Sequence, residues 1–349
     1  MPRVEKEASS SLALVIFSKI RRLLALTILG KTATLSNMKQ SSCFFSLGFF
    51  GKLFLLVLFL NCSCIGNKVV TSPTAFQGEC LQGLNFESGE DSFLADSLKI
   101  GMKLQENFDD KFIDMAIALN VVDDLENYLI EDLERIEKLE LKTRIFGKIM
   151  KMDIELHSLM SAIDCEEEKA EQIASFLEKE LRKKERNLTV AAIITGAIVG
   201  VGTGFILAAD NSRNDWPEYI GIAGGLTEVF LGLSILRLDK RVVIRHSKNI
   251  LRDVYESEDR PAYFPPSTWY YFNSKNNNNQ EVSLKEQLLE RWEAYNMNDE
   301  GVAILFSDGG EYSPELLKSR SEMLDQLESQ ISLISKDLLY FLNKIEAIN

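Results

Sequence analysis

Along most of this chain apolar residues recur every three or four positions, the spacing that lines one face of an α-helix. Two stretches depart from it. From Leu188 to Ala209 and from Tyr219 to Leu238 nearly every position is apolar or small, and only the polar link Asp210–Glu218 lies between them. A helix that is apolar on all sides has no face for water, so it is covered by protein or by lipid. Each stretch matches the roughly 20 residues that a bilayer-crossing helix needs, and the short link makes an antiparallel hairpin of them.

The flanking arms have one apolar face each. Ile145, Ile149, Met152, Leu156, Leu159 and Ile163 are spaced by alternating fours and threes, and Leu125, Leu129, Leu133 and Ile136 predict a similar stripe upstream. Residues 91–187 therefore read as a helical arm, with breaks expected near Phe108–Phe112 or at Gly147. Its acids, among them Asp123, Asp124, Glu131, Asp132, Glu134, Glu137 and Glu140, fall on the solvated side. At the other end of the chain Ser313 can cap a helix, Pro314 suits its first turn, and Glu315 suits the positive end of its dipole. Its stripe runs Leu324, Leu327, Ile331, Ile334, Leu338, Phe341 and Ile345. The stripe Ile145–Ile163 is its natural partner in an antiparallel bundle.

The segment between hairpin and last helix is less regular. Val242–Tyr255 reads as a helix continuing from the hairpin. Pro261, Pro265 and Pro266 then interrupt it among Tyr263, Phe264, Trp269, Tyr270, Tyr271 and Phe272, aromatics that seat at lipid headgroups or plug the end of a bundle. Ser274–Gln280 reads as a loop and Leu284–Tyr295 as a short helix through Leu284, Leu288 and Trp292. Gly301–Phe306 reads as a strand or connector followed by a turn.

The amino-terminal part resembles a targeting segment. Residues 1–37 look like an extension, and Met38-Lys39-Gln40 makes a better start. After it come Lys52 and the apolar run Leu53–Leu60, the ingredients of a secretory signal over 38–62. The run closes on Phe59-Leu60-Asn61-Cys62, which resembles the lipobox of bacterial lipoproteins, although Asn61 and Phe59 depart from the usual residues. That resemblance implies acylation at Cys62; the alternative is an uncleaved anchor helix. Residues 63–90, rich in Gly, Ser, Thr and Asn, read as a flexible tether. The full division is then tether, arm 91–187, hairpin 188–238, aromatic and proline connector 239–280, and a second arm 281–349.

Within the hairpin, Gly196, Gly200 and Gly204 recur every four residues, and Gly221 and Gly225 repeat the spacing. Small faces allow close helix approach in lipid, on each other or on copies of themselves. The pattern resembles the glycine-zipper hairpins of bacterial envelope proteins, and the resemblance implies helix packing rather than an activity. Glu228 stands in the middle of the second apolar stretch, where a carboxylate is costly. Thr195, Thr203 and Thr227 are its candidate partners.

The formal net charge of −13 argues against a nucleic-acid partner. Two histidines, His157 and His246, on different arms leave no usual metal site and no readable catalytic triad, so no cofactor, metal or enzyme activity is expected. Cys80 and Cys165 can pair in an oxidising compartment.

One conflict is built into the chain. Arg182, Lys183, Lys184 and Arg186 precede the hairpin, and Arg237, Lys240, Arg241, Arg245, His246 and Lys248 follow it. Cationic flanks favour the cytoplasmic side, whereas an exported lipoprotein has its arms in the periplasm. The expectation is a mainly α-helical bundle with an apolar two-helix membrane hairpin, in the envelope of a diderm bacterium, with a structural or interaction role. Its partners would be the lipid bilayer and copies of itself, through the hairpin or the heptad helices. The alternative is a helical pore-forming protein, which it is similar to in architecture alone.

Overall fold

The computed structural model describes residues 70–71, 80–86, 102–130, 133–209, 216–257, 259–275, 282–294 and 299–348, all within one compact unit, Asn67–Asn349. In chain order the elements are β1 (Val70–Thr71), α1 (Met102–Asn107), α2 (Asp110–Leu119), α3 (Val122–Tyr128), α4 (Arg135–Ala209), α5 (Trp216–Leu236) and β2 (Val242–Arg245). They continue with α6 (Ile250–Glu256), α7 (Pro266–Asn273), α8 (Leu284–Glu293), α9 (Asp299–Leu305), β3 (Gly309–Tyr312) and α10 (Pro314–Ala347). The fold is mainly α.

Helix α4 runs 75 residues without a break, a length of roughly 110 Å. It passes straight through Gly147, and also through the boundary drawn between arm and hairpin at residue 187. The lower part of α4 packs antiparallel to α10: Glu178 meets Lys318 near the start of α10, while Asp164 lies beside Glu328 further along it. The two apolar stripes close on each other, and Ile145, Leu156, Leu159, Ile163, Leu324, Leu327, Ile331, Ile334 and Phe341 are all buried. Each such side chain contributes about 1.5–3 kcal/mol by leaving water. Serine 313 caps α10 as its position suggests, accepting the Leu316 N–H at 3.2 Å.

Helix α2 fills the gap beside this pair and buries every residue from Phe112 to Leu119. Asp109 caps its first turn, accepting from the Phe112 N–H at 3.1 Å. Asn120, at φ 54°, turns the chain into α3, a left-handed position for which Asn is among the tolerated residues. Phe112 stacks between Phe108 and Phe341. The aromatic and proline segment closes the bundle: Tyr263, Phe264, Trp269, Tyr271 and Phe272 are buried, so they are core residues and no connector. Tyr271 donates to Asp337 at 2.9 Å, and Lys111 pairs with the same carboxylate.

Several expectations fail for physical reasons. The stripe Leu125–Ile136 is cut between α3 and α4; Leu125 is buried while Ile136 is 68 % exposed. Val242–Tyr255 is no continuous helix. Its β-branched start, Val242-Val243-Ile244, forms strand β2 with alternating burial, as stiff side chains on a pleat prefer. Gly301–Leu305 is helical in α9, and the expected turn leads at Gly309 into strand β3. β2 pairs antiparallel with β3 and parallel with β1. Gly309, at φ 131°, makes this possible: a Cβ there would strike the Ile244 carbonyl oxygen. The tether reading fails at Val70–Thr71, held in the sheet, and at Cys80, which is bridged to Cys165 in α4 with Cα atoms 5.7 Å apart. Within the same segment the Phe86 N–H donates to the Ala262 carbonyl at 2.8 Å.

Candidate membrane-facing hairpin

The upper part of α4 and all of α5 form the hairpin, and each holds a helix long and apolar enough to cross a membrane. Over the most apolar stretch of α4 no residue is buried, and in α5 only about a tenth are. Val190, Ile193, Ile194, Ile198, Val201, Phe205, Tyr219, Ile222, Leu226, Val229 and Leu236 are all exposed. A contiguous apolar surface of this extent marks an interaction site rather than ordinary protein surface.

Contact between the two helices involves Gly224, which lies outside the four-residue repeat, and one member of the repeat, Gly196. A Cβ on Gly224 would collide with the Val199 side chain, and one on Gly196 would collide with the Glu228 carboxylate. Gly200, Gly204, Gly221 and Gly225 would each meet nothing within 4 Å. Of the five repeated glycines, Gly196 alone faces the opposite helix; the other four point outward. Glu228 thus lies over a glycine. Thr203 and Thr227 are not its donors, for their hydroxyls donate to the Val199 and Ala223 carbonyls of their own helices at 2.8 and 2.9 Å.

At its foot the two flanks of the hairpin are tied to each other by an ion pair, beside a second pair within α4. Lys240 donates to Glu180 across the two strands of chain at 3.0 Å, and Arg182 donates to Glu178 at 3.0 Å. The hydrogen bond from Lys240 holds Glu180 below the usual carboxylate range, and that from Lys318 does the same for Glu178. Lys183, Arg186, Arg237, Arg241, Arg245 and Lys248 are exposed around this foot. His246 is not part of the charge: burial, then Arg320, Lys169 and Arg252, push its pKa down to about 3. Its Nε2 lies 3.0 Å from the Tyr312 hydroxyl, which itself donates to the Ile304 carbonyl.

Two further clusters lie in the body. Arg320, buried, donates to Asn249 at 3.1 Å, and Asn249 donates to the Leu305 and Ser307 carbonyls at 2.8 and 2.7 Å. Asp164, Glu167 and Glu328 bring three carboxylates within 4.8 Å of one another on the α4–α10 seam. Burial raises the pKa of Glu167 and of Glu328, and neighbouring acids raise both further. Sequence reading missed both clusters. Arg320 was within reach of it, because the step pattern of α10 extended one turn backward from Leu324 lands on Arg320. The carboxylate trio joins residues 161 positions apart and has no local signal.

His157 sits on the helix surface, its ring near the Asp153 carbonyl. Cys62 lies outside the described residues, as does the whole signal or anchor segment. No family model, curated protein or solved structure matches this chain.

Proposed function

We propose that this chain is a membrane-associated protein of the bacterial envelope, a lipoprotein acylated at Cys62, with a structural or interaction role exercised through helix assembly. The observation that carries the membrane reading is the exposed apolar surface of the hairpin, standing above a body whose own apolar stripes are satisfied by each other. An exposed apolar surface of this size marks an interaction or membrane site, and its length matches a bilayer. The outward glycines Gly200, Gly204, Gly221 and Gly225 offer a close-approach face to a second copy, whereas the heptad stripes of α4 and α10 are already occupied. We assign no enzymatic chemistry to the chain.

A photo-crosslinking residue placed at Ile198 in the full chain, expressed in bacteria, tests the reading. The expected product is a phospholipid adduct, with none from the same residue at Ile154 on the exposed face of the body. An Ile198 adduct with protein alone would overturn it.

The second reading, a helical pore-forming protein, is favoured by the continuity of α4, since one unbroken helix joins the packed body to the lipid-facing segment. A water-soluble form of the chain that releases dye from vesicles would support it.

A further inference from the structure

We infer that the hairpin enters its bilayer from the side on which the Cys80–Cys165 bridge forms, after the body has folded, and that anionic headgroups on that side are the partner of its cationic foot. The inference rests on the membrane reading of the hairpin and adds its direction, its timing and its lipid.

The direction follows from covalent continuity. Cys165 and Leu188 belong to the same unbroken helix, and 23 residues of helix separate them by about 35 Å. The returning chain is fixed at the same level, because Lys240 pairs with Glu180 and β2 continues into the sheet of the body. The bridge and both ends of the hairpin therefore share one side of the bilayer. Disulfides of this kind persist in oxidising compartments and are rare in a reducing cytosol. Body, bridge and hairpin foot thus lie together on the oxidising side, with the end of α4 and the start of α5 across the membrane.

The timing follows from the charges. Lys183, Lys184 and Arg186 on one side of the hairpin and Arg237 and Arg241 on the other would hold both flanks in the cytoplasm if the hairpin were threaded into the membrane during synthesis. The bridged body lies on the opposite side, so the chain crosses first, folds and oxidises, and the hairpin enters afterwards. Nothing in the fold obstructs this. Among the described residues no element of the body covers the exposed apolar side chains of the hairpin, so insertion requires no unfolding of the bundle. Cations displaced from their usual side still meet negative charge where the bilayer surface is anionic, and basic residues next to a membrane segment are attracted to such lipid within a Debye length. This resolves the conflict between an exported body and a cytoplasmic-looking hairpin.

Two measurements test it. First, cells expressing the full chain are acid-quenched and treated with a polyethylene-glycol maleimide before and after reduction. The expected result is that Cys80 and Cys165 shift only after reduction; both reacting beforehand overturns the inference. Second, the oxidised full chain carrying Ser212→Cys in the link is mixed with preformed vesicles of phosphatidylethanolamine and phosphatidylglycerol, and a membrane-impermeant maleimide is added. Relative to the parent chain, the new cysteine is expected to be protected, several-fold less so with phosphatidylcholine vesicles or with Lys183, Arg186 and Arg237 changed to Glu. A link cysteine fully labelled from outside overturns the crossing, and protection indifferent to lipid charge overturns the headgroup partner. Failure of the Ile198 lipid crosslink would remove the membrane reading itself; a lipid adduct combined with reduced cysteines would remove this inference alone.

Discussion

Glu166 of α4 and Arg320 of α10 meet inside the bundle, with Arg320 Nη2 3.9 Å from Glu166 Oε2. Each stands on a mainly apolar stripe: Glu166 follows Ile163 by three residues, and Arg320 falls three after Leu317 and four before Leu324. Arg320 shares its stripe with one other buried charge, Asp337, which is met by Tyr271 and Lys111, whereas Arg320 coincides with Glu166. Sliding either helix by a turn would leave both charges against hydrocarbon, so the pair specifies the register of the bundle, as a polar residue in an apolar seam does.

Removing one member should cost more than removing both. Arg320→Leu leaves Glu166 with Lys169 alone and the Asn249 amide oxygen without its donor, and should lower stability by about 3 kcal/mol, read from the urea midpoint of the oxidised protein. Arg320→Met combined with Glu166→Leu should recover most of that loss. A double variant as unstable as the sum of the singles would refute the pairing.

The bridge should matter for stability as well as location. It closes a loop of 85 residues, which in the chain-entropy account stabilises the folded state by about 4.5 kcal/mol. Cys165→Ser should shift the urea midpoint of the body accordingly, and reduction of the parent chain should reproduce the shift. A reduced protein of unchanged midpoint would contradict this.

The carboxylates of the α4–α10 seam carry a pH signature. Glu167 and Glu328 have folded-state pKa values above the ordinary 4.5, so the native state binds protons more tightly than the unfolded chain. Their unfavourable contribution is full above the raised pKa and disappears as pH falls to 4.5 and below. Glu328→Gln should therefore stabilise the protein at pH 7 and have little effect at pH 4, by thermal melting. The opposite ordering would show that the acids are held by a cation.

His246 should act with the other sign. Its pKa is pushed to about 3 by burial first and by neighbouring cations second, against 6.5 when unfolded. The unfolded chain takes up a proton between those values and the native state does not, so stability contributed by the neutral ring is lost as pH falls from about 6.5 towards 3. An NMR titration should show no protonation of this ring at pH 5. A midpoint near 6.5 would mean that the ring is solvated.

The glycines divide into two groups with different expected outcomes. Gly224→Leu must displace Val199 and should weaken the hairpin by about 1–3 kcal/mol in detergent, seen as earlier loss of helicity on heating. Gly200→Leu, whose side chain would enter open space, should leave that melting unchanged and alter only association between copies. Equal effects from both substitutions would restore the four-residue repeat as the hairpin contact.

The sequence by itself determined what depends on neighbours along a helix. The cap at Ser313, the stripes of α4 and α10 and their antiparallel pairing, the short helix through Leu284, Leu288 and Trp292, and the all-apolar character of the hairpin follow from periodicities of three and four residues. Only the tertiary structure decided what depends on partners distant in the chain. Val242-Val243-Ile244 became a strand because Val70–Thr71 and Gly309–Tyr312 offered hydrogen bonds on both sides, and Gly301–Phe306 did not because the pairing lay further on. The repeated glycines were legible as helix faces, but not that Gly200, Gly204, Gly221 and Gly225 point outward while Gly196 faces the opposite helix, since periodicity fixes which residues share a face and leaves open what that face meets. Cys80 and Cys165 were legible only as two cysteines able to pair, and the fold decided that they do. The same reason hid the Glu166–Arg320 contact: each charge is visible as an irregularity in its own stripe, and its meaning appears only when the two stripes are laid together.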